Sequence, residues 1–170
     1  MEGQLKNSEG MLTKIGFGGG CHWCTESVFQ SLKGAHQVEQ GWIASTNEND
    51  SFSEAVIVHF DATMITLETL IEIHLNTHSS TSNHSMRAKY RSAVYTFSEF
   101  QFTAAIRSIE YFQNKFNNEI ITEVHPFNNF KPSPLQFQDY YLKNPKKPFC
   151  EKYIRPKLKL LEEQFPSSVK

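Results

Sequence analysis

The feature that most constrains this chain is the run GGGCHWC at residues 18–24. A short, mixed apolar segment precedes it, and apolar residues at helical spacing follow it and end before Gly34. Glycines let the backbone turn sharply and bring main-chain N–H groups close to a ligand. The pattern therefore predicts a strand, a tight turn and then a helix over 22–33, with Cys21 at the helix start.

The position of Cys21 predicts a reactive thiol. The unpaired N–H groups and the dipole at a helix start favour the thiolate and lower the pKa of a cysteine. The thiolate is the nucleophilic form of cysteine, so the strand, the glycine turn and the helix start together favour a reactive Cys21 over a buried and inert one.

Strands and helices intermingle along the chain, which predicts an α/β or α+β fold in one domain over residues 12–170. Residues 1–11 carry no periodic pattern and are expected to form a flexible tail. Residues 127–149 contain four prolines and are expected to be irregular. The predicted strands are Leu12–Phe17, Val38–Ala44, Glu54–Phe60, Ser92–Phe97 and Ile120–Pro126, and further helices are predicted after Thr66, after Ser98 and over Leu158–Phe165.

Composition excludes several classes of protein. Seventeen Lys and Arg against 18 Asp and Glu give a net charge of −1, which offers no electrostatic footprint for a nucleic acid. No apolar run reaches the roughly 18 residues of a membrane span, and the polar N-terminus lacks the pattern of a secretory signal. Three cysteines are too few, and an odd number, for a disulfide scaffold, so a reducing cytoplasm is the expected location.

Cys21 and Cys24 also have the spacing of a thioredoxin-like redox pair and of half a zinc site. A zinc site needs further ligands, and no complete set with standard spacing occurs in the sequence. His74 lies near the apolar seam of its predicted helix, where a core histidine is commoner than a ligand. No metal site is therefore predicted, and the other residues considered as ligands are His22, His78, His84 and Cys150.

Four segments resemble the type A methionine sulfoxide reductases, and they occur in the order typical of that family. The stretch GGGCHWCTESVFQSLKG is similar to the family's signature, in which Gly-Cys-Phe-Trp opens a helix. Residues 53–56 (SEAV) are similar to the segment with the catalytic glutamate, and residues 89–95 (KYRSAVY) to a Gln-Tyr-Arg-Ser-Ala segment. Residues 138–150 resemble the C-terminal stretch, which often contains a cysteine. The resemblance runs from about residue 13 to about residue 160.

The resemblance implies a ferredoxin-like two-layer sandwich, with a mixed or antiparallel sheet and flanking helices. It implies thiol-dependent reduction of methionine S-sulfoxide, free or in proteins, by a monomeric enzyme. It also implies that no metal and no organic cofactor is needed, because sulfur carries the redox chemistry. The implied reductant is thioredoxin or a similar dithiol.

The resemblance also assigns roles to individual residues. Cys21 attacks the sulfoxide sulfur and becomes a sulfenic acid. Glu54 acts as the acid that protonates the oxygen, and Tyr90 donates a hydrogen bond to it. Trp23 offers a flat apolar face for the methyl group of the substrate, with His22 beside it where the family usually has Phe. A second tyrosine and an aspartate of the family pocket have no counterpart here.

The sulfenic acid then condenses with a second thiol to give a disulfide. Cys150 matches a resolving position of the family, and Cys24 is the alternative. Cys24 lies three positions along the predicted helix, which is expected to hold its side chain away from Cys21. Two other functions stay open, namely a thiol–disulfide oxidoreductase that uses Cys21 and Cys24, and a binding protein that keeps the fold without catalysis.

Overall fold

The computed structural model describes residues 12–170, so the tail expected over 1–11 lies outside the described residues. Within residues 12–170, no helix has both the length and the apolar character needed to cross a membrane. The strands are β1 (Leu12–Gly18), β2 (Ala35–Ala44), β3 (Ser53–Asp61), β4 (Ala93–Thr96), β5 (Glu123–Pro126) and β6 (Asn129–Pro132), and the helices are α1 (His22–Gln30), α2 (Leu67–Thr77), α3 (Glu99–Phe112), α4 (Tyr140–Lys143) and α5 (Arg155–Gln164).

The strands form one six-stranded sheet in the order β5-β4-β1-β3-β2-β6. Neighbouring strands are antiparallel except β4 and β5, which are parallel. The inner order β4-β1-β3-β2, with α1 between β1 and β2 and α2 between β3 and β4, is the ferredoxin-like arrangement. The predicted fold class, a ferredoxin-like α/β sandwich with a mixed sheet and flanking helices, is confirmed.

The main core lies between one face of the sheet and the helices α1, α2, α3 and α5. Val56, Val58 and Phe60 of β3 point into it. The alternate residues Ala55 and Ile57 join a smaller apolar cluster on the opposite face. Because β3 is buried on both faces, its sequence is an almost continuous apolar run, and the strand is a rigid support for whatever stands at its first residues.

The C-terminal segment is less irregular than expected, and the prediction for residues 127–149 is wrong at two places. Residues 129–132 form the edge strand β6, which pairs antiparallel with β2. Its sequence, NFKP, lacks the alternation of a strand, but a Cβ at Gly41 would lie 2.2 Å from the carbonyl oxygen of Lys131, so the glycine allows the two backbones to meet. Residues 140–143 form the short helix α4, which packs beside α1.

Candidate active site

The glycine turn after β1 is required by close packing. A Cβ at Gly18 would lie 3.0 Å from the carbonyl oxygens of Glu54 and Arg91. A Cβ at Gly19 would lie 2.4 Å from Cδ2 of the His78 ring. The chain passes so close to β3 and to the end of α2 that neither position has room for a side chain.

Cys21 is the N-cap residue of α1, as the sequence predicts. Its backbone angles, φ −59° and ψ 130°, are not helical. Its carbonyl oxygen accepts hydrogen bonds from the N–H groups of Cys24 at 3.0 Å and Thr25 at 3.2 Å. The partly exposed thiol therefore stands at the positive end of the helix dipole.

The pKa of Cys21 lies below its usual value. The largest cause is a hydrogen bond from the thiol of Cys24, and the backbone N–H groups of Trp23 and Cys24 act in the same direction. Burial and the charge of Glu54 oppose them. A hydrogen bond donated to the thiolate favours the charged form, so Cys21 is the thiol of this chain that is prepared for nucleophilic attack.

Glu54, the second residue of β3, is only 8% exposed. Its Oε1 accepts a hydrogen bond from the backbone N–H of His22 at 3.1 Å, which joins the carboxyl to the first residue of α1. The Nε2 atom of His22 lies 3.7 Å from Oε1, and the Nζ atom of Lys89 lies 3.8 Å from Oε2. The carboxyl beside the nucleophile therefore has a side-chain nitrogen near each of its oxygens.

The segment that contains Tyr90 is bound to the start of β3. The carbonyl oxygen of Lys89 accepts hydrogen bonds from the Glu54 N–H at 3.1 Å and from the Ser53 hydroxyl at 2.9 Å. The Ser53 oxygen in turn accepts one from the Arg91 N–H at 2.7 Å. These three bonds bring the Lys-Tyr-Arg motif to Glu54, as the resemblance implies.

Tyr90 itself is half-buried, and the ammonium of Lys89 lies 5.2 Å from the centroid of its ring. A hydrogen bond to Tyr90 raises the pKa of Lys89, and the charges of Tyr90, Glu54 and Cys21 add to the effect. The structure therefore brings the carboxyl of Glu54 and the ring of Tyr90 to one ammonium group.

His22 is buried, with 6% of its surface exposed, and does not face solvent. Its Nδ1 lies 2.7 Å from the carbonyl oxygen of Gly41, so Nδ1 carries the proton and donates. Its Nε2 is then left to face Glu54. The ring also meets Trp42 edge-on at 5.1 Å between centroids. His22 therefore places a polar ring in an otherwise aromatic wall.

Trp23 is covered on one face. Its ring stacks on Tyr140 with centroids 4.0 Å apart and planes 2° apart, and Phe149 meets it edge-on at 5.4 Å. The carboxylate of Glu26 holds this segment, because it accepts hydrogen bonds from the backbone N–H groups of Asp139 at 2.7 Å and Tyr140 at 3.2 Å. The open flat face expected for Trp23 is therefore only partly available.

Cys24 is buried in the first turn of α1 and lines the same small cavity as Cys21. Its Sγ lies 4.0 Å from the carbonyl oxygen of Tyr153, to which it donates. Proximity to Cys21 and burial raise the pKa of the Cys24 thiol. The choice between Cys150 and Cys24 as the resolving thiol stays a prediction.

Cys150 is fully buried and belongs to the same apolar cluster as Cys21 and Cys24. It begins a π-helical turn, Cys150–Ile154, that leads into α5. Its sulfur lies 3.5 Å from the carbonyl oxygen of Asn144, and burial raises the pKa of its thiol. All three thiols of the chain are free and share one cluster.

The buried His74 of α2 and the partly buried His78, the C-cap residue of α2, have stacked rings with 4.1 Å between centroids. His74 Nε2 donates to the carbonyl oxygen of Gly18 at 2.8 Å, and His78 Nε2 lies 2.8 Å from the Ser92 hydroxyl. Over residues 12–170, no group of three or more His, Cys, Asp or Glu side chains is placed to hold a metal ion.

These two histidines make stability depend on pH. Burial lowers the pKa of His74 to about 3 and places the pKa of His78 well below its ordinary 6.5. Below pH 6.5 the unfolded chain therefore binds more protons than the folded chain. The free energy of unfolding is highest above that pH and decreases as the pH falls. We expect the free energy of unfolding to drop by up to about 1.4 kcal/mol per pH unit for each histidine.

Urea unfolding between about pH 6 and pH 4 measures this slope. The His74→Gln variant keeps a side-chain N–H for Gly18 but does not titrate, so its slope should be shallower. Equal slopes for the parent and the variant would contradict the assignment.

Three side chains near the nucleophile were not predicted as functional. Glu26 lies in the first family-like segment and Tyr140 in the last, but no pattern in the sequence shows that the two meet in the folded chain. Lys157 lines a small cavity behind Cys21. The one signal for it is that Lys157 precedes the buried Leu161 by one helical turn, which places a lysine on the inward stripe of α5.

Comparison with known proteins gives one consistent family. A family model described as peptide methionine sulfoxide reductase matches residues 13–169. A relative from Psychrobacter sp. (strain PRwf-1), named peptide methionine sulfoxide reductase MsrA, is 37% identical over 167 residues, covering 87% of this chain and 93% of the relative.

Solved structures share the fold. Mxr1 from Saccharomyces cerevisiae in its reduced form has a TM-score of 0.73 at 23% identity, over 85% of this chain and 92% of that one. The same protein in complex with Trx2 has a TM-score of 0.61 at 22% identity, over 79% of this chain and 88% of that one.

Proposed function

The chain belongs to the peptide methionine sulfoxide reductase family, and we propose that it reduces methionine S-sulfoxide, free or in proteins, to methionine at the expense of thiols. The observation that carries the proposal is the lowered pKa of Cys21 at a helix start, beside the carboxyl of Glu54. The reduction needs this pair of groups, because sulfur must be attacked while oxygen is protonated.

The proposed first step is attack of the Cys21 thiolate on the sulfoxide sulfur. The oxygen takes a proton from Glu54 and passes to the Cys21 sulfur, so methionine leaves and Cys21 becomes a sulfenic acid. Two electrons move from the cysteine sulfur to the substrate sulfur. Lys89 Nζ, at 3.8 Å from the carboxyl, is the group that would return a proton to Glu54.

Tyr90 is proposed to hold the sulfoxide oxygen by a hydrogen bond. Its segment is bound to the start of β3 next to Glu54, so its hydroxyl and the carboxyl would address the same oxygen. Trp23 and His22 are proposed to contact the methyl group. Since Tyr140 stacks on one face of Trp23, the methyl group is expected at the part of the indole that Tyr140 leaves uncovered.

The proposed second step is condensation of the Cys21 sulfenic acid with the thiol of Cys24. The small cavity that both side chains line supports Cys24 as the first partner. The step forms the Cys21–Cys24 disulfide and releases water. Cys150 would then attack the Cys24 sulfur, which frees the Cys21 thiol and leaves a Cys24–Cys150 disulfide. The shared apolar cluster of the three thiols supports this order.

Cysteine variants separate these steps. Cys150→Ser should release one equivalent of methionine in a single turnover and stop at a Cys21–Cys24 disulfide. Cys24→Ser should also release one equivalent, but its sulfenic acid should persist and react with a dimedone-type probe. Peptide mass spectrometry identifies each product. A Cys21–Cys150 disulfide formed at the parent rate in Cys24→Ser would contradict the order and favour Cys150 as the direct partner.

Thioredoxin or a similar dithiol is the proposed reductant. The support is that Mxr1, which shares this fold, has been solved in complex with Trx2. We also propose that the chain acts as a monomer in the cytoplasm, a compartment that keeps thiols reduced.

The deciding experiment is turnover of methionine S-sulfoxide with dithiothreitol as the only reductant, and sustained methionine formation is the expected result. The cavity that the free thiols of Cys21 and Cys24 share also favours a second function, a thiol–disulfide oxidoreductase. A chain that reduces a small disulfide but forms no methionine would select that second function.

A further inference from the structure

A small cavity of about 50 Å³ lies beside Cys21. Cys21 and Cys24 line it from α1 and its cap, and Lys157 lines it from α5. His74 lines it from α2, and His78 from the residue that ends α2. Three elements that are distant in sequence thus place a lysine, two thiols and two neutral imidazoles around one enclosed space.

The ammonium of Lys157 is held in this space. It donates a hydrogen bond to the carbonyl oxygen of Thr77, at the end of α2. Burial lowers the pKa of Lys157, while the charges of Cys24 and Cys21 raise it. Conversely, the charge of Lys157 lowers the pKa of Cys24, against the effects of Cys21, Cys150 and burial. The imidazoles of His74 and His78 are neutral and supply no counter-charge.

The charges around this cavity change when Cys21 is oxidised. In the reduced chain, the hydrogen bond with Cys21 and the charge of a Cys21 thiolate both raise the pKa of Cys24 and so oppose its ionisation. A sulfenic acid at Cys21 is neutral near pH 7. The two effects of Cys21 that oppose ionisation of Cys24 then disappear, and the positive charge of Lys157 remains.

We propose that Lys157, which lines one cavity with both thiols, is a positioning residue for disulfide formation, and that its ammonium becomes the counter-charge of the Cys24 thiolate once Cys21 has been oxidised. This inference rests on the proposed role of Cys24 as the first partner of Cys21. The Cys24 thiol ionises, its sulfur attacks the Cys21 sulfur, and the S–O bond of the sulfenic acid breaks. The hydroxide that leaves takes up the proton of the Cys24 thiol, so the products are the disulfide and one water.

The cavity also has an acceptor for that water. His74 Nε2 donates to Gly18, so Nδ1 is the bare nitrogen of a neutral ring, and it has no hydrogen-bond partner within residues 12–170. A water occupies about 30 Å³ in the liquid, which a cavity of about 50 Å³ can hold.

The test compares Lys157→Met with Lys159→Met, which removes an exposed lysine two residues further along α5. Reduced protein receives one equivalent of methionine sulfoxide, and methionine and the Cys21–Cys24 disulfide are followed separately at several pH values. In Lys157→Met, methionine should form at the parent rate, whereas the disulfide should form at least about tenfold more slowly at pH 7, because one pKa unit changes the thiolate fraction tenfold. The rate should recover as the pH rises.

Further variants keep the result interpretable. Lys157→Arg retains the charge and should restore the parent pH profile, which a purely structural role of Lys157 would not predict. If Lys157→Met and Lys159→Met give the same pH profile for the disulfide, the proposal is overturned. If Cys24→Ser forms a disulfide with Cys150 at the parent rate, the proposed role of Cys24 fails, independently of Lys157.

Discussion

Replacing Cys21 with serine is expected to abolish sulfoxide reduction while leaving the fold intact. A serine hydroxyl is not ionised near neutral pH and is a poor nucleophile toward sulfur, even with the donors that Trp23 and Cys24 present at this helix start. Loss of the nucleophile should lower the rate by at least about 10³-fold, as in other enzymes that form covalent intermediates. Methionine formation in single turnover and with dithiothreitol measures the effect.

The matched control is Cys150→Ser, which removes a thiol of the same cluster but leaves the attacking one. It should still form one equivalent of methionine. Circular dichroism of both variants checks the fold. If Cys21→Ser retained more than a few per cent of the parent rate, Cys21 would not be the nucleophile.

Replacing Glu54 with glutamine is expected to lower turnover much more than it weakens substrate binding. The amide keeps the size of the side chain and an oxygen for the N–H of His22, but it has no acidic proton to transfer. Loss of general acid catalysis typically costs about 10²–10⁴-fold in kcat. Steady-state kinetics with dithiothreitol separate the effects on kcat and KM.

Glu39→Gln is the matched control for this change. Glu39 also faces a histidine, His59, but it lies on the sheet away from Cys21 and should leave kcat unchanged. If Glu54→Gln were as fast as the parent, the proton would come from a neighbour of the carboxyl. His22→Phe and Lys89→Gln would then identify which one, because each removes one of the two groups that face Glu54.

The substrate pocket is the part of the site for which motifs gave the least information. Trp23 carries a clear motif, but the partner that covers one of its faces, Tyr140, comes from a segment with no regular pattern. That segment takes its place because Glu26 binds its backbone and because β6 pairs with β2 at Gly41. Such contacts join residues about 90 to 114 positions apart, so no local preference of the chain encodes them.

The sequence by itself determined the strand, the glycine turn and the helix that begins after Cys21. These features depend on glycine, on apolar periodicity and on helix ends, which act over a few residues. The sequence also determined the position of β3. An almost continuous apolar segment of this length is typical of a strand that is buried on both faces. The reactive character of Cys21 follows from the same short-range physics, since the donors that favour its thiolate belong to the next three residues.

The tertiary structure alone decided what surrounds that thiol. Glu54 and Lys89 reach it because β1 lies between β3 and β4, and Lys157 reaches it because α5 packs against α1. The surroundings of Cys24 depended on the packing of the segment 150–154 and of Lys157 against α1. Electrostatic effects on a thiol act through space over a few ångströms, so they follow the packing of strands and helices and not the order of residues along the chain.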